Sequence, residues 1–158
     1  MRSSTRKRTH TVALLSDFGL QDHFVSAMKA VILKMSPSTR IIDITHSIEP
    51  GNVNQGAYVL WSAQNGFPPG TIFVSVVDPG VGTNRAILAV HADDYLFLAP
   101  DNGLLKYILG MMKVREIRRV NNRELMNEKI CATFHGRDVF APVASNFAEG
   151  IQMRTAGQ

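Results

Sequence analysis

Apolar positions along the chain switch repeatedly between two periods. Val12 to Ser16 is a short run of the buried-strand type, ending at Asp17-Phe18-Gly19. Phe24, Ala27, Met28, Val31, Ile32 and Met35 then recur at the i, i+3, i+4, i+7 spacing of one helix face. Asp22 is placed to cap that helix and Ser36-Pro37 to stop it. Ile41 to Thr45 reads as a second strand, and Val53, Ala57, Leu60 and Trp61 mark a second helix closed by Gly66 and Pro68-Pro69-Gly70. Thr71 to Val77 is a third strand, while Ala86 to His91 and Tyr95 to Ala99 form a hairpin turning at Asp93-Asp94. A helix from Asn102 turns Leu104, Leu105, Ile108, Leu109 and Met112 inward. Glu116 to Val120 and Ile130 to Phe134 supply further strands. The last helix starts at Asp138 or Phe140, with Pro142 in its first turn, where a missing N–H is harmless. Strands alternating with helices of this length predict an α/β domain of three-layer, Rossmann-like form: a mainly parallel central sheet with helices on both faces.

The polar residues gain meaning on that scaffold. Asp17 follows the first strand, Asp78 the third, Asp101 and Asn102 the hairpin, and His135 the last strand. Open α/β sheets bind ligands outside the carboxyl ends of their strands, where the strand order reverses. Residues far apart in sequence are thus expected to converge on one edge of the sheet. Within Asp78-Pro79-Gly80-Val81-Gly82-Thr83-Asn84-Arg85, a carboxylate precedes a glycine-rich turn and an arginine closes it. Such a turn is expected to expose backbone N–H groups.

Composition sets the outer bounds. With 158 residues, 45% of them hydrophobic and 19% charged, the chain has the size and balance of one globular domain with a real core. No apolar run approaches the roughly 20 residues a membrane span needs. The formal charge of +4 is matched by Arg2, Arg6, Lys7 and Arg8 alone, so the body of the chain is close to neutral, which weighs against a nucleic-acid partner. Residues 1–10 read as a basic, frayed tail rather than a targeting peptide, because Val12 to Leu15 is too short for a signal core. The one cysteine, Cys131, excludes an internal disulfide and fits a reducing, cytoplasmic setting; in its strand-like stretch it is expected to be a buried, inert thiol.

The common catalytic motifs are missing. Asp17-Phe18-Gly19-Leu20-Gln21-Asp22 is not a dinucleotide fingerprint, and Gly80-Val81-Gly82-Thr83 lacks the Lys-Ser/Thr of a P-loop. No G-x-S-x-G elbow occurs. The histidines have no metal-ligand spacing, so no metal is expected, and His46 and His91 read as structural. A carboxylate, a guanidinium and an imidazole remain: Asp78, Arg85 and His135. Such a set suits activation of water, with Arg85 orienting Asp78 and His135 moving a proton near neutral pH. On the residues alone, Asp78 is equally an ordinary turn residue and Asp138 a helix cap.

Several motifs occur in order: Ser16-Asp17-Phe18-Gly19, Asp43-Ile44-Thr45-His46, Val77-Asp78-Pro79-Gly80-Val81-Gly82-Thr83, Ala99-Pro100-Asp101-Asn102-Gly103-Leu104 and Phe134-His135-Gly136-Arg137-Asp138-Val139-Phe140-Ala141-Pro142. Together, across about residues 11–150, they resemble the S-adenosyl-L-methionine (SAM) hydroxide adenosyltransferases, or SAM hydrolases, relatives of the SAM-dependent fluorinases and chlorinases. The resemblance implies hydrolysis of SAM to adenosine and L-methionine, with SAM as substrate and no cofactor. It places the catalytic set on Asp78, Arg85 and His135, a ribose-binding aspartate on Asp17, and the methionine portion near Asp22. Asn102 joins the substrate-binding set, and Phe134 with Gly136 lines the region of the reacting carbon.

Departures from the halogenating relatives favour water. The position of Asp78 is typically non-acidic there, Gly51 replaces a tryptophan, and Gly136 replaces the fluorinase serine. The resemblance further implies a homotrimer whose pocket is shared between this domain and a β-rich C-terminal domain of the neighbouring subunit. Residues 151–158 fall where that domain would begin. The competing expectations are therefore a SAM hydrolase domain, a SAM- or adenosine-binding fragment with little turnover, and a halogenase.

Overall fold

A computed structural model describes residues 10–158; the first nine residues, and with them the basic cluster read above as a tail, lie outside the described residues. Six strands form one sheet: β1 (Thr11–Ser16), β2 (Arg40–Thr45), β3 (Ile72–Val76), β4 (Ile87–Ala92), β5 (Tyr95–Pro100) and β6 (Val114–Arg119). Their spatial order is β2-β1-β3-β5-β4-β6. β2, β1, β3 and β5 are parallel neighbours, whereas β4 runs antiparallel to both β5 and β6. The sheet is therefore mixed, and the expected mainly parallel character belongs to only one half of it. The tight turn at Asp93 (φ 47°) and Asp94 reverses the chain between β4 and β5, and the reversed β4 then takes β6 on its outer edge.

Period-2 patterning explains the layers. Val12 and Leu14 of β1, with Ile72 and Val74 of β3, face one core; Ala13 and Leu15, with Phe73 and Phe97, face the other. The first core is closed by α1 (Phe24–Met35), through Met28 and Ile32, and by α4 (Ala141–Ala148), through Val143, Ala144 and Phe147. The second is closed by α2 (Val53–Gln64), through Ala57 and Leu60, and by α3 (Lys106–Met111), through Ile108. Phe73 and Phe97 are register partners on adjacent strands, with ring centroids 4.9 Å apart.

The chain moves from β1 outward to β2 by way of α1, then crosses back to place β3 on the other side of β1. That reversal is the switch point, and Asp17 and Asp78 stand just beyond the ends of the two strands that flank it.

Several expectations fail for local reasons. Ile130 to Phe134 is not a strand but a loop, because its backbone is held by a side chain rather than by a neighbouring strand: Cys131 N donates to Asp138 Oδ2 at 2.8 Å. The third helix begins at Lys106 and not Asn102, since Gly103 sits at φ +94°, outside helical space. Leu109, expected inward, is 39% exposed on that short helix. The N-cap of α1 is His23, with no side-chain cap, and Asp22 lies exposed before it. Residues Met153–Ala156 form a 3₁₀ turn whose Met153 and Ala156 are buried, and Ala156 O accepts from Asn121 N (3.0 Å) and Asn122 N (2.9 Å).

Ile32 lies at the centre of the α1–α4 core, fully buried. Ile32→Ala should cost about 3–4 kcal/mol of stability, read as a shift in the denaturant midpoint at unchanged m.

Candidate functional site

The turn after β3 is built around one ion pair. Arg85 Nε donates to both Asp78 oxygens, at 3.0 and 2.9 Å, and Arg85 Nη2 also bonds Oδ2. Both side chains are largely removed from water, Asp78 4% and Arg85 11% exposed. Arg85 Nη2 lies 2.8 Å from His135 Nδ1. A guanidinium only donates, so Nδ1 must accept, and the proton of the neutral ring sits on Nε2. Burial, and then the Arg85 charge, hold the His135 pKa below its ordinary value of 6.5. The cluster in its resting state is thus carboxylate, guanidinium and neutral imidazole, joined in that order.

Some of the N–H groups that the glycines suggested would be exposed are spent inside the intervening turn. Val81 N donates to Asp78 O at 3.1 Å and Thr83 N to Gly80 O at 3.1 Å, while Thr83 Oγ1 donates to Gly80 O at 2.6 Å. Those donors are used inside the turn, which serves to fold Arg85 back onto Asp78. Gly82 is required twice over: φ is +79°, and a Cβ there would lie 2.7 Å from Ala132 O. This close approach seats the turn against the loop that carries His135.

Asp138, open to a cap reading from the sequence, is the anchor of that loop. Its carboxylate accepts from Cys131 N (2.8 Å), Asn127 Nδ2 (2.9 Å), Arg137 Nε (2.7 Å) and Arg137 Nη2 (2.9 Å). The Arg137 bonds lead in lowering its pKa to about 2. Gly136–Phe140 forms a π-helical turn leading directly into α4, so His135 is fixed between an anchored loop and a buried helix. Cys131, expected to be buried, is exposed on that loop, with Sγ 3.3 Å from Thr133 Oγ1.

The other predicted residues are placed around this cluster with differing freedom. Asp17 Oδ2 accepts from Gly51 N at 2.8 Å, and a Cβ on Gly51 would lie 3.9 Å from Pro79 Cβ, so Gly51, in the loop before α2, lies between the turns after β1 and β3. Asn102 Nδ2 donates to Val77 O at 2.8 Å and its Oδ1 accepts from Leu104 N at 3.2 Å, which ties β3 to the turn after β5. Asp22 is exposed beyond the cluster. Phe134 packs edge-on against Phe24 (4.9 Å) and Phe18 (6.0 Å). A Cβ on Gly136 would meet Met28 Sδ at 3.0 Å and Phe18 Cε2 at 3.1 Å, so any larger residue there must push these side chains back by a few tenths of an ångström. Sequence reasoning left His46 without a partner, yet its ring bonds Ser16 and Asp43. The one available signal was its spacing, three residues after Asp43 at the end of β2.

A cavity of about 320 Å³ opens beside Arg85 and His135, lined also by Ile87, Arg119, Arg123 and Val139. A larger one, about 520 Å³, lies at the opposite end of the strands, by Ile72 and Leu96. Among the described residues no group of three or more His, Cys, Asp or Glu is gathered to hold a metal ion. Among them, no helix is long and apolar enough to cross a membrane.

Fold and cluster together define an α/β domain with a carboxylate–guanidinium–imidazole set at the switch point of its sheet. The chain belongs to the SAM hydroxide adenosyltransferase family, whose N-terminal domain profile matches residues 12–157. It is 43% identical over 150 residues to a protein of Salinispora tropica named (R)-S-adenosyl-L-methionine hydrolase, covering 94% of this chain and 57% of that one. A crystal structure of an uncharacterized conserved protein from Thermotoga maritima superposes with a TM-score of 0.91 at 45% identity, over 93% of this chain and 57% of the other. A fluorinase of Nocardia brasiliensis is more distant, 27% identical over 179 residues, with 99% of this chain and 60% of the fluorinase covered. The chain thus spans somewhat over half the length of these relatives.

Asp138→Ala removes the anchor and leaves three donor groups facing an empty site. It should cost about 3 kcal/mol, a fall of roughly 10 °C in Tm by calorimetry. A depressed carboxylate pKa stabilises the fold above its unfolded value near 3.8 and loses that contribution as pH falls toward about 2. The gap between wild type and Asp138→Ala should therefore close in that window.

His135 should titrate by NMR with a midpoint below 6.5, and Arg85→Ala should move the midpoint upward by removing the second cause of its depression. The sign follows the same linkage: a base with a lowered folded pKa favours the fold above its unfolded value and disfavours it as pH falls through that value.

Proposed function

We propose that this domain carries the water-attack part of a SAM hydrolase site, producing adenosine and L-methionine by displacement at C5′ of the ribose. The carrying observation is the continuous Asp78–Arg85–His135 linkage at the switch point, in a chain of the SAM hydroxide adenosyltransferase family. The strand order, with β2 and β3 on opposite sides of β1, supports a Rossmann-like reading of this half of the sheet, in which Asp17 and Asp78, each just beyond its strand's end, face a nucleoside. In this reading Asp17 holds the ribose hydroxyls, Asp22 lies toward the methionine portion, Asn102 braces the adjoining turn, and Phe134 and Gly136 shape the wall near the reacting carbon.

The sulfonium makes methionine a neutral leaving group, so the C5′–S electron pair departs without acid help. Lowering the pKa of free water from 15.7 to about 8 would need roughly 10 kcal/mol, more than one imidazole and one guanidinium supply to a ground state. The proton therefore leaves as the C–O bond forms, when the oxygen becomes a strongly acidic alkyl oxonium and even a weak acceptor serves. Asp78 is the acceptor already in place, because Oδ1 keeps a second lone-pair direction beyond its one Arg85 bond, while Oδ2 takes two. His135 can accept at Nδ1 only by releasing Arg85; from Nε2 it donates and can hold the attacking oxygen. General-base help contributes about 10²–10⁴-fold, and orientation of the pair must supply much of the rest. The carboxylate also repels a halide nucleophile, which sets this site apart from the fluorinases.

In the full-length form we propose a homotrimer in which a neighbouring subunit closes the adenine side. The chain spans 57% of its Salinispora relative, which favours, as a second reading, adenosine or SAM binding with slow turnover for this domain by itself.

Incubation of the chain with SAM, at protein concentrations near those of substrate, should release adenosine and methionine in equal amounts. Asp78→Asn and His135→Ala should each lower the rate by about 10²-fold or more. Unchanged rates in both variants would overturn the assignment, as would 5′-chloro-5′-deoxyadenosine formed on adding chloride. Binding of adenosine by calorimetry without any release would select the second reading.

A further inference from the structure

A hydrogen-bond chain outside the Asp78–Arg85–His135 cluster, buried at Ser16 and His46 and exposed at Asp43, runs toward the same edge of the sheet. The β1–β2 ladder pairs Leu14 with Asp43 but Leu15 with Thr45, skipping Ile44, and this irregularity brings His46 level with Ser16. Ser16 Oγ lies 2.7 Å from His46 Nδ1, and His46 Nε2 lies 2.9 Å from Asp43 Oδ1. Asp43 Oδ2 in turn accepts from Lys29 Nζ of α1 at 2.5 Å. Ser16 and His46 are both buried. The Asp43 carboxylate only accepts, so Nε2 carries a ring proton; in the neutral ring Nδ1 then accepts from Ser16 Oγ, which itself accepts from Phe18 N at 3.2 Å.

Its target is the turn that carries Asp17. Through Ser16, His46 holds the N–H of Phe18, and through its own carbonyl it accepts from Gly19 N at 2.7 Å. Asp17 is the residue between Ser16 and Phe18, and its carboxylate is turned to Gly51 N. The ring of Phe18 reaches the other half of the site, with Cε2 3.1 Å from where a Cβ on Gly136 would stand, one residue from His135. Burying an imidazole costs free energy unless both nitrogens are partnered. Here Nδ1 is partnered by Ser16, whose Oγ holds Phe18 N, and Nε2 is partnered by Asp43.

We propose that His46 is a positioning residue: it fixes the Asp17–Gly19 turn, and through it the placing of the ribose-binding carboxylate and of the Phe18 wall behind Gly136. The ligand part of this inference rests on the SAM hydrolase reading; the backbone part does not.

The test uses the full chain with His46→Ala, His46→Asn, Asp43→Ala and, as a control, Val90→Ala, a core truncation in β4 that takes no part in these hydrogen bonds. Amide exchange by NMR at Phe18 and Gly19 is read together with adenosine binding by calorimetry. His46→Ala should speed exchange at both amides about tenfold beyond the Val90→Ala control and weaken adenosine binding by a similar factor. His46→Asn, whose amide oxygen replaces the Nδ1 acceptor, should recover both to within roughly threefold of wild type. If His46→Ala does not fold, Asp43→Ala carries the test, with a smaller increase of about threefold at the same two amides. Exchange at Phe18 and Gly19 no faster than in Val90→Ala would overturn the proposal. An unmutated chain that binds no adenosine would instead sink the substrate reading, while faster exchange in the His46 variant would still establish its hold on the turn.

Discussion

A guanidinium that is nine-tenths buried at the end of a sheet cannot be left uncompensated, and the region around β3 is organised by that requirement. Removing a charge from water costs several kcal/mol, recovered only by a well-aligned partner. Asp78 meets the condition by accepting from Arg85 along both edges. The pair is neutral as a unit, which is what allows a third group, His135, to approach a cation at 2.8 Å and remain uncharged. The ion pair therefore fixes the turn, and it also chooses the protonation state of the imidazole.

Each further constraint follows from keeping those three groups in register. Residue 82 must be glycine because the turn bends through positive φ and presses on the Ala132 carbonyl. That carbonyl belongs to a loop with no strand partner, so its order must come from elsewhere, and Asp138 supplies it through four donated hydrogen bonds. Asp138 is in turn held by the π-helical turn at the head of α4, which packs on the same core as α1. The precision of the site thus passes from a helix in the core, through a buried carboxylate, to an imidazole at the surface of the sheet.

This hierarchy explains what was legible in the sequence. Elements decided by apolar period were readable: β1, β3, the β4–β5 hairpin, α1 and α2 all follow from side chains that alternate or recur on one face. The strand ends, and hence the gathering of Asp17, Asp78 and Asn102 at one edge, followed from those elements. Elements decided by single polar contacts were not. Ile130 to Phe134 has the composition of a strand, and only the Asp138 carboxylate, several residues on, diverts it into a loop and leaves Cys131 exposed. Gly103 shortens the third helix by a backbone angle that no periodicity records. His46 carried no local sign of the bond to Ser16, thirty residues away in sequence, because that contact depends on a skipped residue in the β1–β2 ladder.

The geometry also bears on the choice between water and halide as nucleophile. A halide needs desolvation and positive or dipolar surroundings, and it brings no proton. Water brings a proton that must go somewhere once the carbon–oxygen bond forms. In the proposed hydrolysis Asp78, negative and with a free lone-pair direction on Oδ1, would disfavour the first nucleophile and serve the second. Gly136 fits the same reading, since a serine there would press on Met28 Sδ and the Phe18 ring, 3.0 and 3.1 Å from its Cβ. Adding a hydroxyl donor at that wall would require moving Phe18, and Phe18 is tied to Ser16 and through it to His46. Conversion toward halide chemistry would thus involve the turn after β1 as well as Asp78 and Gly136, a coupling carried by packing and hydrogen bonds between two halves of one sheet edge.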